Sequence, residues 1–348
     1  MRIVVAPDSF KDCLSASVVA AILSDEISRQ RPDIHVTECP LSDGGEGFTE
    51  IVTSAFSGDF IPVVVTGPLG EQIESGYGRV GNTAILDAAS CCGLSLVPPE
   101  RRNPLLTTSR GMGEMIVEAF AGGCSEFIVG LGGSATCDGG EGMMSVEGIR
   151  DLEDKISIEL LCDVRNPFLG EKGAAVVFGP QKGASPEDVL LLEKRMEKRA
   201  RTILSDTGID VSFHPRTGAA GGLAGALYAY FDAEIHSGIE SVLEYLDFGS
   251  IVDGADWILT GEGRSDMQTL SGKVPMGVLL NAGRSRVALL SGTISDRDAL
   301  SRAGFSLMLN VTPPGVSRED ALRPDVAEAN LRRAAREFLR EIRKLSEQ

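Results

Sequence analysis

Histidine is nearly missing: His35, His214 and His236 are the only three in 348 residues, and they lie far apart. That leaves little material for a zinc hydrolase or a Ser-His-Asp hydrolase. The seven cysteines (Cys13, Cys39, Cys91, Cys92, Cys124, Cys137, Cys162) are odd in number and form no C-x-x-C. This argues against a disulfide framework or structural zinc and for free thiols in a reducing compartment. No apolar run is long enough to span a bilayer. The opening "MRIVVAPDSF" reads as a strand, without a basic leader or cleavage site, so a cytoplasmic location is expected.

Positive charge is also scarce, with 33 basic against 50 acidic residues and a net charge of −17. A field of that sign repels nucleic acid and anionic membranes, so neither is expected as a partner. It still admits a nucleotide where local loops and Mg²⁺ reverse the potential. The phosphate cradle G-x-x-x-x-G-K-[ST] is absent. So is G-x-G-x-x-G after the first strand, which counts against an NAD-dependent oxidoreductase of hydroxyacids.

What is present is strand–helix alternation. "RIVVAP", "IHVTECP", "FIPVVVTGP", "TAILDAA", "EFIVGLGG", "SIELLCDV", "ADWILTGEG", "VALLSG" and "FSLMLNV" read as strands. The first helix starts after the N-cap Ser15 and turns Val18, Val19, Ile22 and Ile27 inward. Ser185, Pro186, Glu187 and Asp188 mark another helix start. "GAAGGLAGALYAYF" predicts a small-residue helix against a sheet, and the last helix carries an apolar stripe of Leu331, Phe338, Ile342 and Leu345. The pattern implies an α/β fold of two domains. One is built from both termini (residues 1–91 and 288–348), with a second α/β domain inserted at 92–287.

Five strand ends combine glycine with acid, hydroxyl or lysine. They offer Asp8, Ser9 and Lys11; Asp43 and Glu46; Ser134, Thr136 and Asp138; Asp163, Asn166 and Lys182; and Glu262, Arg264, Asp266, Gln268, Thr269 and Lys273. Ligands of open α/β sheets bind outside the carboxyl ends of the strands. Glycines let backbone amides approach phosphate, carboxylates suit Mg²⁺, and the cations can neutralise a moving phosphoryl group. Each loop alone is consistent with an ordinary turn or cap; the recurrence points to phosphoryl transfer.

In order, "APDSFK", "DGGEG", "VTGPLG", "NPLLTTSRG", "GGSATCDGG", "CDVRNPFLG", "FGPQKGA", "GAAGGLAGAL" and "TGEGRSDMQTLSGKVPMGV" resemble the bacterial glycerate kinase family, over most of residues 1–292. The chain departs from that family at Cys137, at Arg216-Thr217-Gly218 and at Asp87, and is shorter before "IELLCDV". The resemblance implies a flavodoxin-like (Rossmann-like) domain plus an inserted α/β domain. It also implies ATP-dependent phosphorylation of D-glycerate with Mg²⁺ in an interdomain cleft, with 2-phosphoglycerate favoured over 3-phosphoglycerate.

On that reading Asp8, Lys11, Asp163 and Arg264 are the expected catalytic residues, with Asp8 ahead of Asp163 as general base. The expected ATP contacts are Gly132, Gly133, Ser134, Ala135, Thr136, Gly139, Lys182, Gly261, Glu262, Gly263 and Lys273. Asp43, Asp138 and Asp266 are the expected metal ligands. A kinase of another small hydroxyacid, and an inactive ligand-binding relative, are the competing readings. Assembly into a homo-oligomer stays open.

Overall fold

The computed structural model describes residues 1–346 except Asp12. The chain opens with β1 (Arg2–Val5) and β2 (His35–Glu38). Its middle contributes β3 (Asp59–Thr66), β4 (Gln72–Val80), β5 (Thr83–Asp87), β6 (Glu126–Gly130), β7 (Ser157–Leu161) and β8 (Glu234–His236). The last third adds β9 (Trp257–Thr260), β10 (Arg264–Ser265), β11 (Arg286–Ser291), β12 (Thr293–Ile294) and β13 (Leu307–Asn310).

Two compact units result. Unit 1 is Met1–Asp43 with Ile239–Gln348, and unit 2 is Gly44–Gly238. The fold class is α/β, with one unit built from both ends of the chain as expected. The crossings, however, fall near 43 and 238 rather than near 91 and 287. The reason is strand pairing: β5 bonds in parallel to β6 and antiparallel to β4, which ties residues 59–87 to the middle of the chain. Period alone could not show which sheet those strands join.

Unit 1 holds a five-stranded sheet in the order β2-β1-β9-β11-β13, every pairing parallel. Its strands are apolar runs such as "RIVV" and "WILT", the pattern of a sheet covered on both faces. The helix Ala16–Gln30 starts on Ser15, whose hydroxyl accepts from Val18 N–H. It buries Val19, Leu23 and Ile27 with Leu331, Phe338 and Ile342 of the helix Pro324–Ser346. Between these helices Arg332 binds Asp25 at 2.6 Å and Arg336 binds Glu26 at 2.8 Å. Val18 and Leu345, expected in the apolar faces, are exposed instead. Val18 lies one residue off the buried stripe, and Leu345 is in the last turn of its helix.

Unit 2 holds a six-stranded sheet, β3-β4-β5-β6-β7-β8, antiparallel from β3 to β5 and parallel from β5 to β8. β4 was not evident in the sequence because "QIESGYGRV" carries two glycines. The structure shows their purpose: a Cβ on Gly78 would lie 1.6 Å from the Thr53 hydroxyl, and one on Gly76 would lie 2.4 Å from the Phe60 ring. The helix Pro186–Thr207 has the predicted start, with Ser185 and Asp188 forming a reciprocal cap. The small-residue helix begins only at Leu223, because Ala220, Gly221 and Gly222 take left-handed conformations ahead of it. No helix among the described residues is long and apolar enough to cross a membrane.

Candidate active site

Because every strand of the unit 1 sheet runs the same way, its carboxyl-end loops gather along one edge. The order β2-β1-β9-β11-β13 is a flavodoxin-like arrangement whose direction of winding switches between β1 and β9. There the loops after β1, β9, β11 and β13 enclose a cavity of about 460 Å³, which is lined by Asp8, Lys11, Glu262, Arg264 and Lys273 among others. This brings together two sequence-predicted acids, Asp8 and Glu262, and three predicted cations.

Asp8 sits at the inner wall, 4% exposed. Its N–H donates to Gly261 C=O at 2.9 Å, which extends the β1–β9 pairing into the loop. Its Oδ1 accepts from Ser9 N–H at 2.7 Å. Burial first, and then the charge of Asp43, hold the Asp8 carboxyl well above the usual carboxylate range. Lys11 and the Ser9 N–H oppose that shift, while Glu262 adds to it.

Glu262 organises the loop after β9. Its Oε1 accepts from the Thr269 hydroxyl at 2.7 Å and the Ser265 hydroxyl at 3.2 Å, and its Oε2 accepts from Lys273 Nζ at 2.9 Å. Ser265 in turn meets the Ser291 hydroxyl at 2.7 Å. Asp266 caps the next turn through Gln268 N–H at 2.9 Å and pairs with Arg264 at 3.2 Å. Gly261 is required by close approach, since a Cβ there would lie 1.7 Å from Leu290 C=O. The outcome is a rigid loop that leaves the Lys273 side chain 32% exposed and that of Arg264 73% exposed at the cavity.

The "GGSAT" loop of unit 2 is built in the opposite way. Lys182, 4% exposed, donates to the Ser134 hydroxyl at 2.9 Å and to Thr136 C=O at 2.7 Å. Burial pulls its ammonium below the usual lysine range. Gly132, Ala135 and Gly139 N–H groups donate to the carbonyls of Gly44, Cys92 and Gly221. Thr136 is fully buried, and its hydroxyl finds no partner among the described residues. The expected cradle of amides and hydroxyls is therefore largely turned into the unit, and Gly133 is its exposed point. Lys182 acts from within the unit to hold the loop.

Asp138 is likewise not placed as a metal ligand. Its Oδ2 accepts from Ser109 N–H and Ser109 hydroxyl, both at 2.8 Å, and from Gly142 N–H at 3.1 Å; its Oδ1 accepts from Gly140 N–H at 3.1 Å. Four donors make it a joint between helix starts. Asp163 accepts from Ser237 hydroxyl at 2.8 Å and Gly238 N–H at 2.9 Å, linking the ends of β7 and β8. The Cys137 thiol is pushed up to about 11 by burial, which makes it a poor nucleophile at neutral pH.

Sequence reasoning missed two features. Asp87 caps the helix Ala88–Cys92 through Ser90 N–H at 2.7 Å and also accepts from the Thr49 hydroxyl at 2.6 Å, so that it steadies the helix after "DGGEG". The segment after β13, with Thr312, Val316, Arg318, Ala321 and Leu322, forms a wall of the cavity. Its signal was present: "TPPG" directly follows a parallel strand's carboxyl end, where ligands bind.

Comparison with known proteins agrees with this architecture. The profile of the glycerate kinase family matches residues 3–155 and 145–343, nearly the whole chain. The chain belongs to the glycerate kinase family. It is thereby an enzyme of the phosphotransferase class with an alcohol group as acceptor. A glycerate kinase of Bacillus subtilis (strain 168) is 38% identical, with 99% of this chain and 98% of that one covered. A glycerate 2-kinase of Escherichia coli (strain K12) is 40% identical, over 80% of this chain and 81% of its own length. The crystal structure of a Salmonella typhimurium LT2 chain designated glycerate kinase 2 superposes with a TM-score of 0.78 and 36% identity, covering all of both chains.

Among the described residues, no cluster of three or more His, Cys, Asp or Glu could cage a metal. Mg²⁺ does not require one, because it keeps several waters and binds through one or two carboxylates plus substrate phosphates. The donor chemistry fits that mode: Asp43 and Asp266 are half-buried carboxylates in unit 1, and the first crowds Asp8.

Proposed function

We propose that this enzyme transfers the γ-phosphoryl group of ATP to a hydroxyl of D-glycerate and that the product is 2-phosphoglycerate. Family membership supports the reaction class, and the naming of one relative as a glycerate 2-kinase supports the position. The observation that carries the reading is the cavity of unit 1, where Asp8 meets Lys11, Arg264 and Lys273.

Asp8 accepts the proton of the attacking hydroxyl. Burial raises its proton affinity above that of an ordinary carboxylate, and its fixed position beside the Ser9 N–H orients it. Lys11, Arg264 and Lys273 neutralise the substrate carboxylate and the moving phosphoryl group. Positioning and charge are the main sources of rate in such reactions. Glu262 contributes by holding Lys273 at 2.9 Å. Asp43 and Asp266 would hold Mg²⁺, which neutralises charge on the β- and γ-phosphates when bound. In unit 2 the backbone of Gly133 is the part of the "GGSAT" loop open to a ligand, with Lys182 fixing its shape from within. A cytoplasmic location is part of the proposal.

The test is an assay of ADP formation from ATP, Mg²⁺ and D-glycerate, with the product identified by phosphorus NMR. Glycerate-dependent ADP with a single 2-phosphoglycerate resonance is the expected result. A 3-phosphoglycerate resonance overturns the position of transfer, and the absence of glycerate-dependent ADP overturns the substrate.

A further inference from the structure

The cavity of unit 1 is much larger than the proposed acceptor needs. A seven-heavy-atom acid fills on the order of 150 Å³, the share of about five water molecules, whereas the cavity measures about 460 Å³. It is also two-ended. Lys11, Arg264 and Lys273 lie with Asp8 and Glu262 at the loops after β1 and β9, while Val316, Ala321 and Leu322, together with Thr312 and Arg318, come from the segment after β13, with Cys13 beside them.

That second end is a built wall. Thr312 N–H and Val311 N–H donate to Gly292 and Ser291 carbonyls, continuing the β11–β13 pairing past the strand. Pro313, Pro314 and the left-handed Gly315 (φ 88°) turn the chain back, and Ser317 caps the short helix Arg318–Ala321. The Cys13 thiol lies 3.9 Å from Ala321 C=O. Val316, Ala321 and Leu322 are half-buried and line the cavity, so part of their apolar surface faces it. Glycerate, with a single CH₂ flanked by polar groups, cannot cover it.

We infer that this cavity binds the adenosine half of ATP, with the purine against Val316, Ala321, Leu322 and Cys13 and the phosphates toward Lys11, Arg264 and Lys273. A flat heterocycle joined to a polyanion matches a site with one mainly aliphatic end, edged by Thr312 and Arg318, and one end that gathers three cations. The site lies where the sheet's winding switches, the place where open parallel sheets of this order take nucleotides. The inference rests on the kinase reading for the identity of the nucleotide; the shape and chemistry of the cavity stand apart from it.

The test is calorimetric titration of the full chain with Mg²⁺ and a non-hydrolysable ATP analogue, and separately with inorganic tripolyphosphate, without glycerate. The variants are Val316→Glu and Leu322→Glu, each checked by thermal unfolding. A carboxylate under the purine should weaken the ATP analogue by about tenfold or more, and tripolyphosphate, which lacks the base, should lose much less. In turnover, KM for ATP should rise while kcat at saturating ATP is kept. Unchanged affinity for the ATP analogue in a folded variant overturns the inference, as does a rise in KM for glycerate alone. If the wild type binds the analogue but makes no ADP with glycerate, a selective loss in the variants still supports the adenosine site. Only the proposed acceptor then falls.

Discussion

The two glycine-rich loops that look most alike in sequence have opposite structural uses. "GGSATCDGG" and "TGEGRSDMQTLSGK" each combine glycine, hydroxyls and an aspartate, and each is matched with one lysine. In unit 2 that lysine, Lys182, points inward and satisfies the loop's own oxygens. In unit 1 Lys273 is held by a carboxylate and stays partly open at a cavity. A lysine among carbonyls and hydroxyls in the interior is a fastener. A lysine tethered by Glu262 at a cavity keeps its charge available to an anion. Composition does not separate these uses; the partner of the ammonium does.

The contrast can be broken most severely at Gly221. Its φ is +65°, and a Cβ would lie 1.9 Å from Thr136 C=O. Gly221→Ala should therefore lower stability by at least about 3 kcal/mol by urea unfolding. In the unit 1 loop Gly272 is also left-handed, at +99°, but has open space around it. There the same change should cost only about 1–2 kcal/mol, for backbone conformation alone. Equal losses at both sites would remove the distinction between a packed loop and an open one.

Next in size, Lys273→Met should lower kcat by about a hundredfold, through lost charge stabilisation, with a smaller loss of stability, because the Thr269 and Ser265 hydroxyls still donate to Glu262. Lys182→Met should do the reverse. Leaving the Ser134 hydroxyl and Thr136 carbonyl without their donor should cost about 1–3 kcal/mol in unfolding, with a smaller effect on the chemical step. A loss of kcat with unchanged stability in Lys182→Met would assign that residue to the ligand instead.

The smallest expected effect is on pH dependence. Burial lowers the Lys182 pKa in the folded state. Between that lowered value and the ordinary lysine range the unfolded chain binds a proton that the folded chain does not, so stability rises with pH through this window. The contribution is present above the unfolded value and lost as pH falls through the folded one. Lys182→Met should abolish it, so the wild-type minus variant unfolding energy should grow from pH 7.5 toward pH 10. A difference that shrinks over that range would reverse the sign and the argument.

Much of this was readable before any coordinates. The alternation of strand and helix, the caps at Ser15 and Ser185, and the placement of Asp8, Lys11, Arg264 and Lys273 after strands all follow from local physics. The sheet membership of "FIPVVVTGP" and "TAILDAA" does not, because pairing partners are remote in sequence. Nor does the inward use of Ser134, Thr136 and Asp138, since an amide or carboxylate poised for a ligand and one bonded to a neighbouring carbonyl or amide have the same sequence. The wall from Thr312 to Leu322 carries few charged side chains on its cavity side, and its role depends entirely on where β13 ends.

Unit 1 is assembled from both ends of the chain, and this sets a timetable for synthesis. β1 is an interior strand of its sheet, and Arg2 N–H meets its Asp256 partner 254 residues later. At about 5–20 residues per second, β1 and β2 wait roughly 10 to 50 s for β9 to leave the ribosome. All of unit 2 emerges in that interval as one continuous segment. The nascent enzyme thus carries a half-built parallel pair, with the apolar β1 uncovered, through most of its translation, and it is during this time, more than in the finished fold, that the chain is most exposed to aggregation and to the chaperones that prevent it.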